Sequence, residues 1–393
     1  MENNKSTVSN NSFSVKVIKN TEGLEELRSK WKRESRHHFS DIDFYLTIIH
    51  HREEVIMPYV IVLYRDGNIE TIVVGRIEKQ RLINKIGYKV VYQPKARFLY
   101  IEYGGILGNL SHKNTEIVVD EVMKALSNSE ADIALFSSLP VNSSIFRTAR
   151  TKPGFLCRDY ISLSSEHWKT ILPETFENFL KTMSQKHRYW IRRMERLIQK
   201  DCEAEIAFKI FRYPDQVQQF CQDVEEIAKT SYQRGIGVGF MNNDEMRHRL
   251  DVSASQHWFR GYVLYLGDQP IAYWLASLYW TTLYLDGTGY KPAYRKYEPG
   301  TVLFMKMVES LYMSNEKAKE IDFGFGGASY KERYGSQYWN EANVFIFAPT
   351  LRSIRFNLVR FLILAISKSA EAFLKRTRLI SKVKRYWRDR SIS

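Results

Sequence analysis

The segment from Tyr284 to Gly335 contains the residue types of a phosphate-binding site. It predicts a strand, a basic and aromatic loop, and a helix that runs from Pro299 to Met313. The first N–H groups of a helix lack intrahelical partners and lie at the positive end of its dipole, so this helix start favours an anionic ligand. The N–H groups of Gly300 and Thr301 are therefore predicted to contact phosphates, although Pro299 also fits the first position of an ordinary helix. Three residues add positive charge: Lys291, Arg295 and Lys296.

Four nearby residues have side chains suited to acid–base chemistry. Asp322 ends a predicted buried strand next to Gly324, where burial would raise the pKa of a carboxyl towards that of a general base. The same position also suits an aspartate that caps a loop. Asp286 is a second candidate base, although an Asp-Gly pair at a strand end is commonly a turn. One loop after Asp322, Tyr330 could protonate a leaving group and Lys331 could hold a phosphate or a carboxylate.

A basic helix is predicted between the two halves of the chain, at residues 176–200. From Lys181 to Lys200 the sequence has 7 basic residues and 1 acidic residue, while apolar residues recur along one face. We expect Lys186, His187 and Arg188 to hold an anionic group of a substrate. A solvated basic face is the alternative, above all for His187.

The elements that would position these residues occur twice along the chain. In the first half they are a strand, two helices, a hairpin, a further strand, a helix and a buried strand, and Asp66-Gly67 predicts the turn of the hairpin. The second half repeats this order roughly 200 residues later, which is typical of a large internal duplication. The sequence therefore predicts an α/β protein with two copies of one unit.

Composition excludes several classes of protein. The chain has 393 residues with 44% hydrophobic content, enough for two cores of ordinary domain size, so neither a disordered protein nor a small disulfide scaffold is expected. Its three cysteines have no metal-ligand spacing, and we expect no metal site, no disulfide framework and a reducing compartment. No secretion signal and no apolar run of membrane-spanning length are present, which favours a cytoplasmic location.

The net charge of +14 is concentrated in two segments. Residues 181–200 carry +6, residues 351–393 carry +10 from 12 basic and 2 acidic residues, and the rest of the chain sums to −2. An anionic partner is expected at these two places.

From Val15 to Pro349 the sequence resembles the GNAT acetyltransferase superfamily, and within it the CelD-like branch, which is named for a cellulose-synthesis protein and is related to the FemAB peptidoglycan transferases. The matching residues of the second half are Tyr290, Pro299-Gly300, Asp322-Phe323-Gly324, Gly327, Tyr330-Lys331 and Gly335. The basic helix supplies a second motif, which consists of Ser184, Lys186, Arg188, Arg192 and Arg193.

This resemblance implies two tandem GNAT-like domains, each a mixed twisted sheet flanked by helices, plus a basic C-terminal helical tail. The boundaries that follow are a disordered leader at 1–13, an N-terminal GNAT-like domain at 14–170, a basic linking helix at 171–204, a C-terminal GNAT domain with the donor site at 205–349, and the tail at 350–393.

The resemblance also implies an acyltransferase that uses acetyl-CoA or another acyl-CoA, without a metal. Its acceptor would be a sugar or a nucleotide- or lipid-linked saccharide of cell-surface polysaccharide synthesis, bound in the cleft between the halves. Three residues would bind the donor: Arg295, Gly300 and Thr301. Three would be catalytic: Asp322, Tyr330 and Lys331. Four would bind the acceptor: Lys186, His187, Arg188 and Tyr290.

The chain departs from the superfamily at two points. Its pyrophosphate loop, from Arg295 to Gly300, lacks one small residue, and Lys291 follows Tyr290 where the branch often has an acid. Two alternatives therefore accompany the acyl-CoA prediction. In the first, the donor is an aminoacyl-tRNA, as in the FemAB relatives, and the basic helix contacts RNA phosphates in a salt-dependent manner. In the second, the chain is a catalytically inactive, membrane-recruited scaffold.

The tail from Leu351 to Ser393 lies outside the resemblance. Apolar residues recur at helical spacing opposite the basic ones, which is typical of a helix that lies on an anionic membrane surface. Alternatively, the first part of the tail packs on the second domain, or the tail binds nucleic acid. The apolar stripe consists of Leu351, Ile354, Leu358, Phe361, Leu362 and Ala365.

Overall fold

The computed structural model describes residues 12–87, 89–231, 234, 239–314 and 316–376. These residues form two compact units. The first contains the chain up to Ser164 together with Ala342–Lys368, and the second contains Ser165–Glu341 and the end of the last helix. Of the leader predicted at 1–13, only Ser12 and Phe13 are among the described residues.

The first unit is a mixed sheet flanked by helices, with strand order β1-β3-β4-β7-β8 and β2 paired to β4. Its strands are β1 (Phe13–Ile18), β2 (Val55–Pro58), β3 (Val60–Arg65), β4 (Asn68–Arg81), β5 (Asn84–Ile86), β6 (Lys89–Tyr92), β7 (Lys95–Gly108) and β8 (Ile133–Pro140). Its helices are α1 (Glu22–Glu25), α2 (Arg28–Glu34), α3 (Ile42–His51), α4 (His112–Ser127) and α5 (Ser144–Thr151). The valines Val118, Val119 and Val122 recur on one face of α4 and are buried against the sheet.

The second unit has strand order β9-β14-β13-β12-β11-β10. Its strands are β9 (Ser164–Ile171), β10 (Ile206–Phe211), β11 (Phe259–Leu266), β12 (Gln269–Tyr279), β13 (Thr282–Tyr290), β14 (Glu320–Phe325) and β15 (Gln337–Phe347), the last of which continues into the first unit. Its helices are α6 (Phe176–Lys181), α7 (Gln185–Cys202), α8 (Pro214–Ala228), α9 (Asp244–Ser255), α10 (Pro299–Met313) and α11 (Ser329–Tyr334). The last helix of the chain is α12 (Leu351–Arg376).

The two units repeat one arrangement, which confirms the predicted duplication. Strands β1, β3, β4, β7 and β8 correspond in order to β10, β11, β12, β13 and β14. In each unit the neighbouring pairs are antiparallel except the last, β7 with β8 and β13 with β14, which is parallel and is joined by a helix. The hairpin turn predicted at Asp66-Gly67 is also present, with both residues at positive φ as a two-residue turn requires.

Residues 176–202 form two helices instead of the one predicted linking helix. Ser184 is the N-cap of α7, and its hydroxyl accepts a hydrogen bond of 3.2 Å from the His187 N–H, so a new helix begins there. The apolar face of α7, with Ile191, Met194 and Ile198, is buried in the core of the second unit. The segment is therefore part of that unit rather than a separate linker.

The domain boundary near the end of the chain also differs from the one expected from the sequence, because Ala342–Lys368 belong to the first unit. Ala342, Val344 and Ile346 of β15 are buried in a core of the first unit, and α12 up to Lys368 is grouped with the same unit. Burial, not order along the chain, decides the unit to which a strand belongs. Within the part of the chain that the structure describes, no helix is long and apolar enough to cross a lipid bilayer.

Candidate functional site

A cavity of about 430 Å³ lies at the start of α10 in the second unit. Five residues predicted from the sequence line it: Tyr290, Arg295, Gly300, Thr301 and Tyr330. The remaining lining residues are Trp274, Thr288, Glu298, Phe304, Ser329, Arg333 and Tyr334. The wall is therefore mostly aromatic and hydroxyl-bearing, with two arginines and one glutamate.

A β-bulge in β13 directs side chains into this cavity. The register between β12 and β13 shifts so that Asp286 is an extra residue of β13. Strict alternation would place Leu285 and Thr288 on opposite faces, but the bulge brings both to one face, where Leu285 is in the core and Thr288 lines the cavity. Asp286 is thus an exposed residue within a strand rather than part of a terminal turn, and it accepts a hydrogen bond of 2.7 Å from the Ser277 hydroxyl.

The strands on either side of the cavity pair only over a short length. Thr282–Tyr284 of β13 pair in parallel with Glu320–Asp322 of β14. Beyond these residues the cavity is lined by Thr288 and Tyr290 at the end of β13, by Trp274 of β12, by the loop before α10, and by α10 and α11. A parallel pair that separates towards its carboxyl ends leaves an opening at the start of the connecting helix.

The start of α10 has the predicted proline at its first position, preceded by Glu298 with φ 45°. The Thr301 N–H donates to the Glu298 carbonyl at 2.9 Å, and the Thr301 hydroxyl donates to its carboxylate at 3.2 Å. Of the two N–H groups predicted to contact phosphates, that of Thr301 thus already has a partner within the helix start. The carboxylate opposes an anionic ligand, whereas Arg295 and Arg333 favour one. A Cβ atom added to Gly300 would have Tyr290 Cδ1, at 3.8 Å, as its nearest neighbour, so space is open at this position.

Trp274 brings an unsatisfied donor to the cavity wall. Its indole N–H is buried and has no hydrogen-bond partner among the described residues, and its ring lies 5.7 Å from that of Tyr330. Leaving a buried donor unpaired costs about 1–3 kcal/mol. Sequence reasoning missed Trp274, because a tryptophan in a buried strand has no local feature that distinguishes it from a core residue.

Two tyrosines of α11 are neutral hydrogen-bond donors in the cavity. Burial raises the pKa of Tyr330 and of Tyr334 to about 12. The Tyr334 hydroxyl is 2.9 Å from Nε2 of His187, whose pKa is lowered by partial burial and by the charge of Arg333. His187 thus lies one hydrogen bond behind the cavity wall.

Asp322 belongs to a second group of residues, centred on His167 of β9. Nε2 of His167 is 2.7 Å from Asp322 Oδ1, its Nδ1 is 3.0 Å from Glu341 Oε2, and its ring stacks on Trp339 at 4.3 Å. Burial alone would lower the pKa of His167, but the two carboxylates outweigh it and raise the pKa to about 9. An imidazolium therefore lies between two carboxylates. The sequence did not reveal this group, because His167, Asp322 and Glu341 lie on three strands far apart along the chain.

Asp322 and the cavity lie on opposite faces of β14. Phe323, the next residue, is in the core on the cavity side, and its ring is 6.2 Å from that of Tyr330. Because successive residues of a strand face opposite sides, the Asp322 carboxylate is directed away from the cavity. The parallel pairing of β13 and β14 ends at Asp322, so the carboxylate lies where the two strands begin to separate.

Lys331 is buried and supports the end of β14. Its ammonium donates to the carbonyls of Gly324 and Phe325, at 2.9 and 3.1 Å. Burial lowers its pKa to about 8, an effect partly offset by the charge of Asp322. Its predicted role as a ligand for a phosphate or carboxylate stays a prediction.

The charges expected around the helix start are distributed differently from the prediction. Lys291 is buried and paired with Glu226, and Lys296 pairs with Asp201 at 3.3 Å. Lys186 is exposed and Arg188 is half-buried on α7, and their contact with an acceptor stays a prediction. Of the three basic loop residues, only Arg295 lines the cavity. Arg333 adds a second positive charge there, which was not predicted from the sequence.

The stability of the protein should depend on the protonation of His167. The ordinary pKa of histidine is about 6.5 and the folded value is about 9, so the stabilisation is complete below about pH 6.5 and is lost as the pH rises through about 9. We expect the difference in unfolding free energy between wild type and His167→Gln to be largest near pH 6 and to fall by about 3 kcal/mol towards pH 10. Urea unfolding across this range measures it, and a difference that does not change with pH would show that the pKa of His167 is the same in the folded and the unfolded protein.

Comparisons with known proteins agree with this geometry. Residues 185–332 match the family described as "Acetyltransferase (GNAT) domain". The crystal structure of FemX superposes with a TM-score of 0.57 at 11% identity, covering 88% of this chain and 100% of that chain. A tandem GNAT protein from the clavulanic acid biosynthesis pathway gives a TM-score of 0.49 at 8% identity, covering 86% of this chain and 99% of that chain. No curated protein matches the sequence.

The second unit therefore contains a GNAT acetyltransferase domain, with its cavity at the start of the helix between the two parallel strands. Because the first unit repeats the strand order and the parallel pair of the second, the chain has two GNAT-like domains in tandem. The match over residues 185–332 indicates acyl transfer of the GNAT type for this domain.

Proposed function

We propose that the cavity at the start of α10 binds an acyl-CoA donor. The observation that carries the proposal is the convergence of Arg295, Gly300, Thr301 and Tyr330 on one cavity. The two arginines suit the phosphates of the donor, and the aromatic and hydroxyl-bearing wall suits an acyl-pantetheine chain.

In the proposed reaction an amine or hydroxyl of the acceptor attacks the thioester carbonyl. The proton of the nucleophile passes to the Asp322 carboxylate, the carbon–sulfur bond breaks, and the thiolate leaves. Tyr330 stabilises that thiolate as a hydrogen-bond donor, since a phenol with a pKa of about 12 keeps its proton at neutral pH. The donor and Asp322 would lie on opposite faces of β14. They would meet at the gap between β13 and β14, which begins where the pairing of the two strands ends at Asp322.

We propose a sugar, or a nucleotide- or lipid-linked saccharide of surface polysaccharide synthesis, as the acceptor. This class comes from the resemblance to the CelD-like branch, and Lys186, His187 and Arg188 are proposed to hold its phosphate. The exposed basic residues of α7 support an anionic acceptor. The strongly basic chain end is proposed to keep the enzyme at the inner face of the cell membrane, where lipid-linked saccharides are made.

Thermal unfolding in the presence of acyl-CoA tests the donor site. A donor at about 100 times its dissociation constant should stabilise the protein by roughly 2.7 kcal/mol. Release of free thiol from acetyl-CoA, measured with amino sugars and nucleotide-linked sugars as acceptors, then identifies the acceptor class. The absence of a shift with every acyl-CoA would contradict the proposal.

An aminoacyl-tRNA donor is the second candidate. It is favoured by the fold similarity to FemX and by the outer face of α7, where Lys186, Arg192, Arg193, Arg196 and Lys200 are exposed. Under this alternative the full chain should bind transfer RNA, and the affinity should fall steeply as salt rises. Acyl-CoA protection without RNA binding would exclude it.

A further inference from the structure

The last helix, α12, buries polar as well as apolar residues on its inner face and exposes apolar residues on its outer face. Ser353, Asn357 and Arg360 face the first unit and are buried, while Leu358 and Leu362 face outward and are at least half exposed. A helix that packs on a protein in water normally places its apolar face inward. Phe356 and Leu364 follow this rule, whereas the exposed leucines are not expected in a helix whose outer face meets only water.

The inward polar residues are fully engaged, so the orientation of α12 is well determined. Arg360 forms a buried ion pair of 2.6 Å with Asp159, and the Asn357 amide donates to the carbonyls of Leu156 and Arg158, both at 3.0 Å. Phe356, on the same side, is in a core of the first unit. These contacts hold α12 against the segment 155–163 and keep its apolar stripe outward.

Segment 155–163 extends the exposed apolar surface of the helix. Phe155 is 71% exposed, and Leu156 and Leu163 are more than half exposed. Tyr160 joins the two parts, because its ring lies 5.3 Å from that of Phe155 and 6.0 Å from that of Phe361 in α12. We call this surface the apolar patch; it consists of Phe155, Leu156, Tyr160, Leu163, Leu358, Phe361, Leu362 and Ile366.

The charges around the apolar patch are almost all positive. Residues 141–164 and 351–370 together contain 8 basic residues and 1 acidic residue. The acidic residue is Asp159, which is buried in its ion pair with Arg360. Arg147, Arg352, Arg355 and Lys368 are exposed. An apolar surface surrounded by cations matches a lipid surface with anionic headgroups, because the side chains enter the acyl region while the cations remain among the headgroups.

We propose that the apolar patch is a membrane-docking surface in which segment 155–163 and α12 insert together into an anionic lipid leaflet. The first unit would thereby hold the enzyme on the membrane, with the polar inner face of α12 kept against the protein. This inference rests on the first unit alone and does not depend on the acyl-transfer proposal. A second copy of the chain could also cover an apolar face, but it would not account for the surrounding cations, which would repel their symmetry equivalents.

Co-sedimentation of the full chain with vesicles tests the proposal. The protein should pellet with vesicles of phosphatidylglycerol and phosphatidylcholine in equal parts, and much less with phosphatidylcholine alone. The double variant Phe155→Ser/Leu156→Ser should lower the partition coefficient by about tenfold or more, as should Leu358→Ser/Leu362→Ser, because each removes two inserted side chains. Met313→Ser is the matched control, since Met313 is exposed at the end of α10 in the other unit; it should bind as wild type does.

Three results would overturn the inference. Wild-type protein that stays in solution with anionic vesicles would remove the membrane as the partner. Loop variants that pellet as wild type does would show that segment 155–163 does not insert. A stable dimer in lipid-free sedimentation, lost in both double variants, would assign the patch to a second copy of the chain. The melting temperature of every variant, measured without any ligand, confirms folding and keeps failure of this inference separate from failure of the proposed donor site.

Discussion

Asp322→Asn is expected to lower kcat by about 10²- to 10⁴-fold, the usual range when a general base is removed. The amide has nearly the same shape as the carboxylate and its oxygen can still accept the hydrogen bond from His167, so the fold should persist. Donor binding should also persist, because Asp322 does not line the cavity. Steady-state kinetics with saturating donor, together with acyl-CoA protection, measure both effects.

Glu341→Gln is the matched control for this prediction. Glu341 is the other carboxylate bonded to His167, so its variant weakens the same imidazolium without removing the proposed base. If the two variants lose equal activity, Asp322 acts through the charge of His167 and is not the base. Asp286→Asn tests the second candidate, and a large loss of kcat in that variant with little loss in Asp322→Asn would transfer the role to the bulge residue.

Gly300→Val is expected to abolish the protection that acyl-CoA gives against thermal unfolding. The nearest atom to an added Cβ is 3.8 Å away, so the unliganded protein can accommodate the side chain. A donor phosphate at the start of α10 cannot, since the branched side chain would lie between it and the backbone. The full stabilisation of roughly 2.7 kcal/mol at about 100 times the dissociation constant should therefore be lost.

A graded series makes this result specific. Gly300→Ala should retain part of the protection, and Arg295→Ala should weaken donor binding through loss of one charge. The melting temperature of each variant without donor should match that of wild type. Undiminished protection in Gly300→Val would place the donor phosphates elsewhere in the protein.

Much of the cavity could be predicted because its signals are local in the sequence. Pro299 begins α10 for reasons of backbone geometry, and Gly300, Thr301 and Arg295 lie within one turn or loop of it. The duplicated order of strands and helices was equally accessible, because period 2 and period 3.6 patterns are properties of short windows. These features determined the fold class and one wall of the site.

Other features depended on contacts that no local pattern contains. The partners of His167 are separated from it by 155 and 174 residues, and only the pairing of β9 with β14 brings Asp322 to its ring. A histidine in a short strand is indistinguishable from a core or surface residue until its neighbours are known. The same holds for Trp274, whose unpaired N–H is defined only by what surrounds it.

The last helix shows most clearly which features the sequence determines and which depend on tertiary contacts. The sequence by itself determined an amphipathic helix with its apolar stripe and basic residues, because helical periodicity fixes which side chains share a face. Only the tertiary structure decided which face turns inward. The buried pair of Arg360 with Asp159 and the amide contacts of Asn357 bind the polar side to the first unit, since an unpaired buried charge would cost far more than an exposed leucine. Polar groups are buried only where they meet their partners, and this depends on tertiary contacts rather than on the local sequence. These contacts thus determined that α12 exposes its apolar face.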